Sequence, residues 1–291
     1  MHSTVKNKFL IAVSGGPDSL FLLFKYLKYQ PVVAFVNYNQ REDSWYDEKL
    51  VTDFCQKHKL ILETKTLKKS DFKGGNFQDW ARTVRYEFFR EIYKKYSCTS
   101  LLIAHHLDDF LETAILQTNS NRKVRFYGIK SQTKLYGMNI YRPFLYKYFK
   151  STILKKCKKN NITFQTDYTN GTDKYTRNAV RLKNNKLSEF NKYLKILKFR
   201  LKNLLLSIKN RKLEKDYTKW QASDFEQNIL KTLKNQELLV SKYIFEHFNN
   251  INLPSSKQKQ IVKFILSNNR TAKYLLKNEV YLFKNKGKLI N

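Results

Sequence analysis

The fold of this chain is decided around Ser14-Gly15-Gly16-Pro17-Asp18-Ser19, a hexad that stands between two apolar runs. The run at 9–13 is typical of a buried strand, and the run at 20–24 is typical of the buried side of a helix. The glycines let backbone N–H groups point into a small concavity, and the helix N-terminus adds partial positive charge. The hexad therefore predicts a phosphate-sized anion cradle, with a plain glycine turn as the alternative. It is not a Walker A loop, because no Lys-Ser or Lys-Thr pair follows the glycines.

The complete hexad is more specific than a glycine turn. Ser-Gly-Gly-x-Asp-Ser after a strand resembles the pyrophosphate-binding loop of the PP-loop ATP pyrophosphatases. The resemblance implies ATP as a co-substrate that is split between its α and β phosphates. It also implies that Asp18 holds Mg²⁺ against the phosphates. The simpler alternative is that Asp18 only caps the helix, and the two roles are compatible.

The composition limits the kinds of partner. At 291 residues, of which 42% are hydrophobic, the chain is long enough for one large or two modest domains. Its net charge of +32 is concentrated in the second half and favours a polyanion bound through phosphates, with compositional drift toward lysine as the alternative. No apolar run approaches the roughly 20 residues of a membrane span, and we expect no signal peptide. Three scattered cysteines favour a reducing, cytoplasmic compartment and disfavour a zinc or cluster site.

Apolar runs and helical patterns alternate along the first half of the chain. Further strands are expected at 31–37, 60–64 and 101–104, with helices at 45–58, at 76–96 and from Asp108 onward. This spacing suits right-handed βαβ crossovers and predicts an α/β fold, a Rossmann-like doubly wound parallel sheet. Ligands bind such sheets at the carboxyl ends of strands, so the Ser14 loop and the segment His105–Asp109 should converge on one pocket.

The pattern changes from about Lys186. Apolar residues then alternate steps of four and three, which indicates one apolar stripe on a long helix. The stripe comprises Phe190, Leu194, Leu197, Leu201, Leu204 and Ile208. Later apolar residues also have helical spacing, so we expect a smaller, mostly helical C-terminal domain. The predicted division is 1–185 for the catalytic domain, 186–215 for a connecting helix and 216–291 for a helical domain that binds the polyanion.

A second motif, Ala104-His105-His106-Leu107-Asp108-Asp109-Phe110-Leu111-Glu112-Thr113, follows the predicted strand at 101–104. It brings two imidazoles and three carboxylates to a strand end and a helix start. Asp109 and Glu112 are three residues apart and share a helix face. Carboxylates close to ATP indicate a site for Mg²⁺ or an ammonium group. The alternative is a capped helix start whose acids only favour the helix dipole.

Together the two motifs resemble the tRNA(Ile)-lysidine synthetases. Three further segments agree with that family: Ala81-Arg82-x-x-Arg85-Tyr86, then Arg142-Pro143-Phe144-Leu145, then Asp167-Tyr168-Thr169-Asn170 followed by Arg177-Asn178-Ala179-Val180-Arg181. The resemblance covers residues 8–182 in order. Residues 35–41 depart from the family because they lack the histidines that its members usually have there. The second half matches no motif, which suggests a version with one C-terminal domain.

The resemblance implies a ligase that acts in two steps. ATP would adenylate O2 of the wobble cytidine of tRNA(Ile) with a CAU anticodon, and the ε-amine of free L-lysine would then displace AMP from C2. Lysine arrives as an ammonium and needs a base, for which Asp109 or Glu112 is predicted, with Asp108 third. Arg82 and Arg85 are predicted to clamp a lysine carboxylate or an RNA phosphate, with a surface ion pair as the alternative. The other predicted contacts are Ala12, Ser14, Gly15, Gly16, Pro17, Asp18, Ser19, Ala104 and His105 to ATP, and Tyr86, Arg142, Arg177, Asn178 and Arg181 to lysine or tRNA.

Two other kinds of function stay open at this point. A PP-loop tRNA thiolase or amidotransferase is disfavoured by the lack of paired cysteines and of a glutaminase nucleophile. A non-catalytic RNA-binding protein is disfavoured because a binder has no need of clustered carboxylates. The sequence does not decide between a monomer and a homodimer, and we expect no association with a membrane.

Overall fold

The computed structural model describes residues 8–40, 43–120, 124–165, 176–248, 253–277 and 279–290, without the side chains of residues 176–178, 209 and 255. The chain divides into two compact units. The sheet unit comprises Met1–Asn119 and Tyr127–Phe199, and the C-terminal unit comprises Ser120–Phe126 and Arg200–Asn291. The predicted division of roles among 1–185, 186–215 and 216–291 stays a prediction.

The described part of the sheet unit contains six strands and six complete α-helices, besides two short 3-10 helices. The strands are β1 (Phe9–Val13), β2 (Val32–Asn37), β3 (Leu62–Thr66), β4 (Ser100–Leu102), β5 (Gln132–Leu135) and β6 (Met138–Tyr141). The helices are α1 (Pro17–Tyr26), α2 (Ser44–Lys57), α3 (Phe77–Lys95), α4 (Leu107–Asn119), α5 (Lys150–Lys159) and α6 (Thr176–Asn185). A seventh helix, α7 (Glu189–Gln221), begins in this unit and ends in the C-terminal unit.

The six strands form one sheet in the order β3-β2-β1-β4-β6-β5. Neighbouring strands are parallel except β5 and β6, which form an antiparallel hairpin at one edge. The predicted doubly wound parallel sheet is confirmed, apart from this antiparallel edge. The hairpin was not predicted, because residues 132–141 alternate between more exposed and more buried side chains and contain no continuous apolar run.

Apolar side chains cover both faces of the sheet. Along β1, Leu10 joins a core completed by α3, whereas Ile11 and Val13 join a core completed by α1, α2 and α5. Successive strand residues point to opposite faces, so this alternation places helices on both sides. Because β1 and β4 are adjacent and parallel, the loops that follow them emerge side by side at the same edge of the sheet.

The C-terminal unit is mostly helical, as expected. After α7 come α8 (Gln227–Thr232), α9 (Gln236–His247) and α10 (Ser255–Ile265). A three-stranded antiparallel sheet follows, made of β7 (Ala272–Lys277), β8 (Val280–Asn285) and β9 (Lys288–Ile290), and the sequence analysis did not predict it. Its inner face packs Leu276, Leu282 and Leu289 into a core that contains Trp220.

A buried lysine explains why this sheet was difficult to detect. Lys284 lies on the inner face of β8, with 1% of its surface exposed. Its ammonium donates hydrogen bonds to the carbonyls of Phe264 and Ile265, each at 2.9 Å, at the end of α10. Such a cation satisfies terminal carbonyls of the helix and favours its dipole. A lysine at an inward position breaks the apolar alternation by which a strand is recognised.

The predicted long helix is α7, and the side chains of its apolar stripe are exposed. The exposed fraction ranges from 40% for Leu197 to 69% for Phe190. None of the helices in the described part of the chain combines the length and the apolar character needed to cross a membrane.

Candidate active site

The Ser14–Ser19 loop joins the end of β1 to the first turn of α1. Gly16 is the N-cap of α1, no side chain caps this end, and Pro17 stands in the first turn. The Ser19 hydroxyl accepts a hydrogen bond from the Ser14 N–H at 3.1 Å and donates one to the Gly16 carbonyl at 2.9 Å. These bonds close the turn within the loop, and the helix end offers backbone N–H groups to an anion. Asp18 lies inside the helix and does not cap it.

Gly15 is required by both conformation and space. Its φ of +77° lies in the left-handed region, which side chains with a Cβ adopt at a cost. A Cβ added there would lie 2.6 Å from Oδ1 of Asp47, a buried side chain of α2. The loop is therefore held closely against α2.

A cavity of about 240 Å³ opens beside this loop at the carboxyl ends of β1 and β4. Its lining comes from the loop, from α3 and from the start of α4, which are far apart in the sequence. Ten residues that the sequence analysis selected line it: Ala12, Ser14, Asp18, Ser19, Arg82, Arg85, Tyr86, Ala104, His105 and Asp109. Three apolar residues that it did not select complete the wall: Val13, Phe89 and Ile103.

Asp18 contacts a cation that the sequence analysis missed. The ammonium of Lys150, in the first turn of α5, lies 2.5 Å from Oδ2 of Asp18. The other oxygen, Oδ1, is buried without a hydrogen-bond partner, 3.8 Å from Nε2 of His106. An orphaned buried carboxylate oxygen at a cavity is an incomplete site, because burial of an unsatisfied polar atom is costly. Lys150 was hard to select in a chain with 56 lysines and arginines.

His106 is buried among acidic side chains. Its Nε2 lies 3.5 Å from Asp109 Oδ2, and its Nδ1 lies 3.4 Å from Asp108 Oδ2. Burial lowers the pKa of His106, but the negative charges of Asp109, Asp108 and Asp18 outweigh burial and raise the pKa above its usual value. Protonated His106 would offset part of the negative charge at the rear of the cavity.

Asp108 is fully engaged by the protein. Its Oδ1 accepts a hydrogen bond from the ammonium of Lys192 at 2.7 Å, and its Oδ2 accepts one from the backbone N–H of Lys150 at 2.9 Å. Burial raises the pKa of Asp108, but contacts with His106, Lys192 and the Lys150 N–H outweigh burial and hold the pKa well below its usual range. Asp108 therefore ties the starts of α4, α5 and α7 together, and it is a weak base.

Glu112 is also paired away from the cavity. Only 2% of its surface is exposed, and it accepts hydrogen bonds from Arg181 on α6, to Oε1 at 2.8 Å and to Oε2 at 3.4 Å. Burial lowers the pKa of Arg181, but the Glu112 carboxylate outweighs burial and raises the pKa. The two side chains form an ion pair between α4 and α6 in which Glu112 is buried and Arg181 is partly exposed, and their predicted roles as a base and a tRNA contact stay predictions.

Arg142 supports one of the cavity residues. Its buried guanidinium donates a hydrogen bond from Nε to Nδ1 of His105 at 3.0 Å, and its Nη1 donates to the Lys130 carbonyl at 2.9 Å. Burial lowers the pKa of Arg142. A ring whose Nδ1 accepts a hydrogen bond carries its proton on Nε2, so Arg142 sets the tautomer of His105.

The remaining predicted residues differ in position. Gly15, Gly16 and Pro17 shape the loop beside the cavity. The Arg82 guanidinium lies 4.7 Å from the centre of the Tyr86 ring, so the predicted clamp pair is adjacent to an aromatic face. The side chains of Arg177 and Asn178 lie outside the described residues, as does the segment Asp167–Asn170.

Residues 1–187 match the family model of the PP-loop domain, so the chain is a PP-loop protein. Two curated relatives, both named tRNA(Ile)-lysidine synthase, match almost from end to end. The protein of Mycoplasmopsis pulmonis is 46% identical over 95% of this chain and 96% of its own length. The protein of Mesomycoplasma hyopneumoniae is 38% identical over 98% of this chain and 96% of its own length. The chain belongs to the tRNA(Ile)-lysidine synthase family.

A solved structure supports the fold independently. A U34-tRNA thiolase from Methanococcus maripaludis, described with its 4Fe-4S cluster, has a TM-score of 0.55 and 16% sequence identity to this chain. The match covers 71% of this chain and 75% of the thiolase. At this identity the likeness concerns the fold alone.

Proposed function

We propose that this chain attaches L-lysine to C2 of the wobble cytidine of tRNA(Ile) with a CAU anticodon, through an adenylated cytidine, with release of AMP and pyrophosphate. The modified tRNA would then decode AUA as isoleucine. Membership of the tRNA(Ile)-lysidine synthase family supports the reaction. One observation in the structure carries it: a single cavity joins the phosphate loop, the Arg82–Arg85 pair and the Asp109 carboxylate.

The loop fits the triphosphate of ATP. Backbone N–H groups at the start of α1 and the Lys150 ammonium, 2.5 Å from Asp18, would stabilise the charge that grows on the departing pyrophosphate. The orphaned Oδ1 of Asp18 suits Mg²⁺, which binds proteins through one or two carboxylates together with substrate phosphates. When bound there, Mg²⁺ would neutralise phosphate charge.

Asp109 is the base that the geometry favours for the lysine amine. It lines the cavity, and its Oδ2 accepts a hydrogen bond from the His106 N–H at 2.8 Å, which fixes the carboxylate at the start of α4. Glu112 is almost fully buried against Arg181, and Asp108 is held ionised with a lowered pKa. An acid with a strongly lowered pKa has little driving force to accept a proton.

Arg82 and Arg85 are the proposed anion clamp of the second substrate. Both line the cavity one turn apart on α3, with Tyr86 beside them. Two guanidinium groups at that spacing suit the carboxylate of free lysine or a phosphate of the anticodon loop. His105, oriented by Arg142, lies in the same wall.

The substrate is large and anionic, and the charge of the chain matches it. A net charge of +32 favours a tRNA that is bound mainly through its phosphates. The proposed location is the cytoplasm, where tRNA, ATP and free lysine are found. The wobble base must leave its stack to enter a cavity, as is usual when RNA loop bases are read. The C-terminal unit is the proposed grip on the tRNA body.

The cysteines argue against a cluster-dependent thiolase. Cys55 and Cys157 are buried in one core of the sheet unit, and Cys98 is buried in the other. Burial raises the pKa of Cys55 to about 12 and that of Cys157 to about 11. Metal clusters bind thiolates, so these three side chains are suited to packing.

The test is to incubate the full chain with ATP, labelled lysine and a tRNA(Ile) transcript with a CAU anticodon. We expect label in the RNA, with one AMP and one pyrophosphate released for each lysine incorporated. A transcript that differs only in a UAU anticodon is the control and should remain unlabelled. Labelling that ignores the anticodon, or sulfur incorporation in place of lysine, would contradict the proposal.

A further inference from the structure

The outer face of the β7-β8-β9 sheet in the C-terminal unit is unusual for a surface that faces solvent. Along β8, Leu282 and Lys284 point inward, so Tyr281 and Phe283 point outward. The strand register sets Leu275 opposite Tyr281, and Ile290 opposite Phe283. The exposed fractions are 47% for Leu275, 47% for Phe283 and 44% for Ile290. Antiparallel sheets normally present polar side chains on the face away from the core.

The two aromatic side chains lie side by side on the central strand. The ring centres of Tyr281 and Phe283 are 6.3 Å apart. They are held on a strand whose inner face is fixed in the core by Leu282 and by the hydrogen bonds of Lys284. The two ring planes are inclined by 45°, so each ring offers its own face, and nucleobases stack on aromatic faces with little regard to sequence.

Positive charge surrounds these two rings. Lys273 lies opposite Phe283 in the register, and its ammonium is 5.0 Å from the centre of the Tyr281 ring. Lys288 extends the outer face on β9, opposite Asn285, and its ammonium forms an exposed ion pair with Asp224 at 2.9 Å. An exposed pair of this kind contributes little, so an RNA phosphate can replace the Asp224 carboxylate. From 251 to 291 the sequence has nine lysines and arginines and one acid, Glu279. Aromatic rings framed by cations match a chain of bases joined by phosphates better than they match an apolar protein surface.

We propose that this outer face, made of Leu275, Tyr281, Phe283 and Ile290 with Lys273 and Lys288, is a stacking platform for unpaired nucleotides of the substrate tRNA. The inference rests on the proposed function for the identity of the RNA. Unpaired bases stack on Tyr281 and Phe283, and Lys273 and Lys288 contact the phosphates between them. The platform adds affinity for the RNA and takes no part in the chemistry of the cavity.

The experiment measures binding of a tRNA(Ile) transcript to the full chain, without ATP or lysine, at several salt concentrations. We expect the double variant Tyr281→Ala/Phe283→Ala to weaken binding about tenfold or more, since each stacked base contributes about 1–3 kcal/mol. Stacking is uncharged, so the salt dependence should stay that of the parent. Lys273→Gln should instead weaken binding less and reduce the salt slope by about one phosphate contact. In lysine incorporation, both variants should raise the KM for tRNA by about the factor by which they weaken binding.

The matched control is Phe245→Ala, which removes a phenylalanine that is 38% exposed on α9 of the same unit. It should bind tRNA as the parent does. The proposal is overturned if the double variant binds tRNA like this control, or if it changes the oligomeric state and leaves RNA binding intact, since the face would then be a protein interface. Binding is measured without turnover, so failure of the platform and failure of the lysine-transfer reaction give separate results.

Discussion

Two groups of carboxylates near the cavity differ in their surroundings. One group lines the cavity and is called the wall here, and the other is paired with basic side chains outside the lining. Asp18 and Asp109 line the cavity, whereas Asp108 and Glu112, one to three residues from Asp109, are held by basic partners outside its lining. We call the pairs formed by Asp108 and Glu112 the anchor network. The Asp108 carboxylate links α4 to α5 and α7, and the Glu112 carboxylate links α4 to α6, so both stabilise the packing of these helices.

The difference divides the clustered acids into those that face the cavity and those that are paired behind it, and the catalytic roles predicted for Asp108 and Glu112 stay predictions. A carboxylate with both oxygens bonded to cations and N–H groups is stabilised in its charged form, so it resists taking a proton. A carboxylate that faces a cavity keeps the capacity to meet a substrate. Burial and partners separate the two kinds, and neither can be read from residue type.

The largest expected effect on activity comes from a substitution of Asp18, which lines the cavity. Asp18→Asn keeps the shape of the side chain but removes the charge beside the phosphate loop, and we expect pyrophosphate release to fall about a thousandfold. The unfolding midpoint should change little, because Oδ1 makes no hydrogen bond and the Lys150 ammonium that pairs with Oδ2 is partly exposed and can be hydrated in the variant. The measurement is AMP and pyrophosphate formation with saturating tRNA and lysine.

Asp53→Asn is the control for this substitution. Asp53 is an exposed member of an ion pair with Lys49 on α2, with an oxygen–nitrogen distance of 2.9 Å. Exposed pairs contribute little, so both activity and stability should remain those of the parent. Undiminished pyrophosphate release by Asp18→Asn would remove Asp18 from the site.

The next effect comes from the anchor network, and it concerns stability. Asp108→Asn leaves the Lys192 ammonium, which is largely buried, without its counter-charge, and we expect a loss of about 3 kcal/mol in the free energy of unfolding. The pKa of Asp108 is lower in the folded chain, so its contribution is complete above the unfolded pKa of about 4 and is lost as the pH falls below it. The difference between parent and variant should narrow at acid pH, and it should also narrow as the pH rises through the raised pKa of His106, because Asp108 helps to raise that pKa.

Denaturant unfolding at each pH measures this difference, and turnover is assayed at a temperature where the variant is folded. The variant should keep turnover within about tenfold of the parent, since Asp108 does not line the cavity. Loss of turnover with unchanged stability would show that Asp108 acts in catalysis, like the residues that line the cavity, and does not act mainly in stabilising the helices.

The sequence was sufficient where local chemistry decides the structure. Apolar runs at β1 and β2 and the glycine hexad between strand and helix predicted the parallel sheet, because a strand buried on both faces leaves a continuous apolar pattern. Convergence of the Ser14 loop and Asp109 followed from the rule that ligands bind at the carboxyl ends of parallel strands. Family resemblance then supplied the reaction.

The sequence was insufficient where a side chain acts through a distant partner. Lys150 meets Asp18 across 132 positions, and no local pattern distinguishes it from its lysine neighbours. Lys284 is a buried cation whose hydrogen-bond acceptors lie on α10. Because these acceptors are distant in the sequence, a lysine at an inward position hid the apolar alternation that would have predicted β8. Arg142 and Arg181 were predicted to contact the substrate, which stays a prediction, and the structure adds that they donate hydrogen bonds to His105 and Glu112.

Lys150 joins the two regions, so its substitution gives the sharpest comparison and the smallest expected effect. Its ammonium contacts Asp18 in the wall, and its backbone N–H donates to Asp108 in the anchor network. Lys150→Met removes only the first contact, so we expect stability close to that of the parent and turnover lowered about tenfold, with a raised KM for ATP. Lys155→Met, at an exposed position of the same helix, is the control and should change neither quantity.

Because Lys150 and Asp18 touch, the effects of Asp18→Asn and Lys150→Met on turnover should not add in the double variant. If the effects of the two substitutions on turnover add fully, Lys150 does not act through Asp18. If Lys150→Met loses as much stability as Asp108→Asn, the Lys150 side chain belongs to the anchor network. In either case the backbone N–H groups would be the remaining phosphate contacts of the loop.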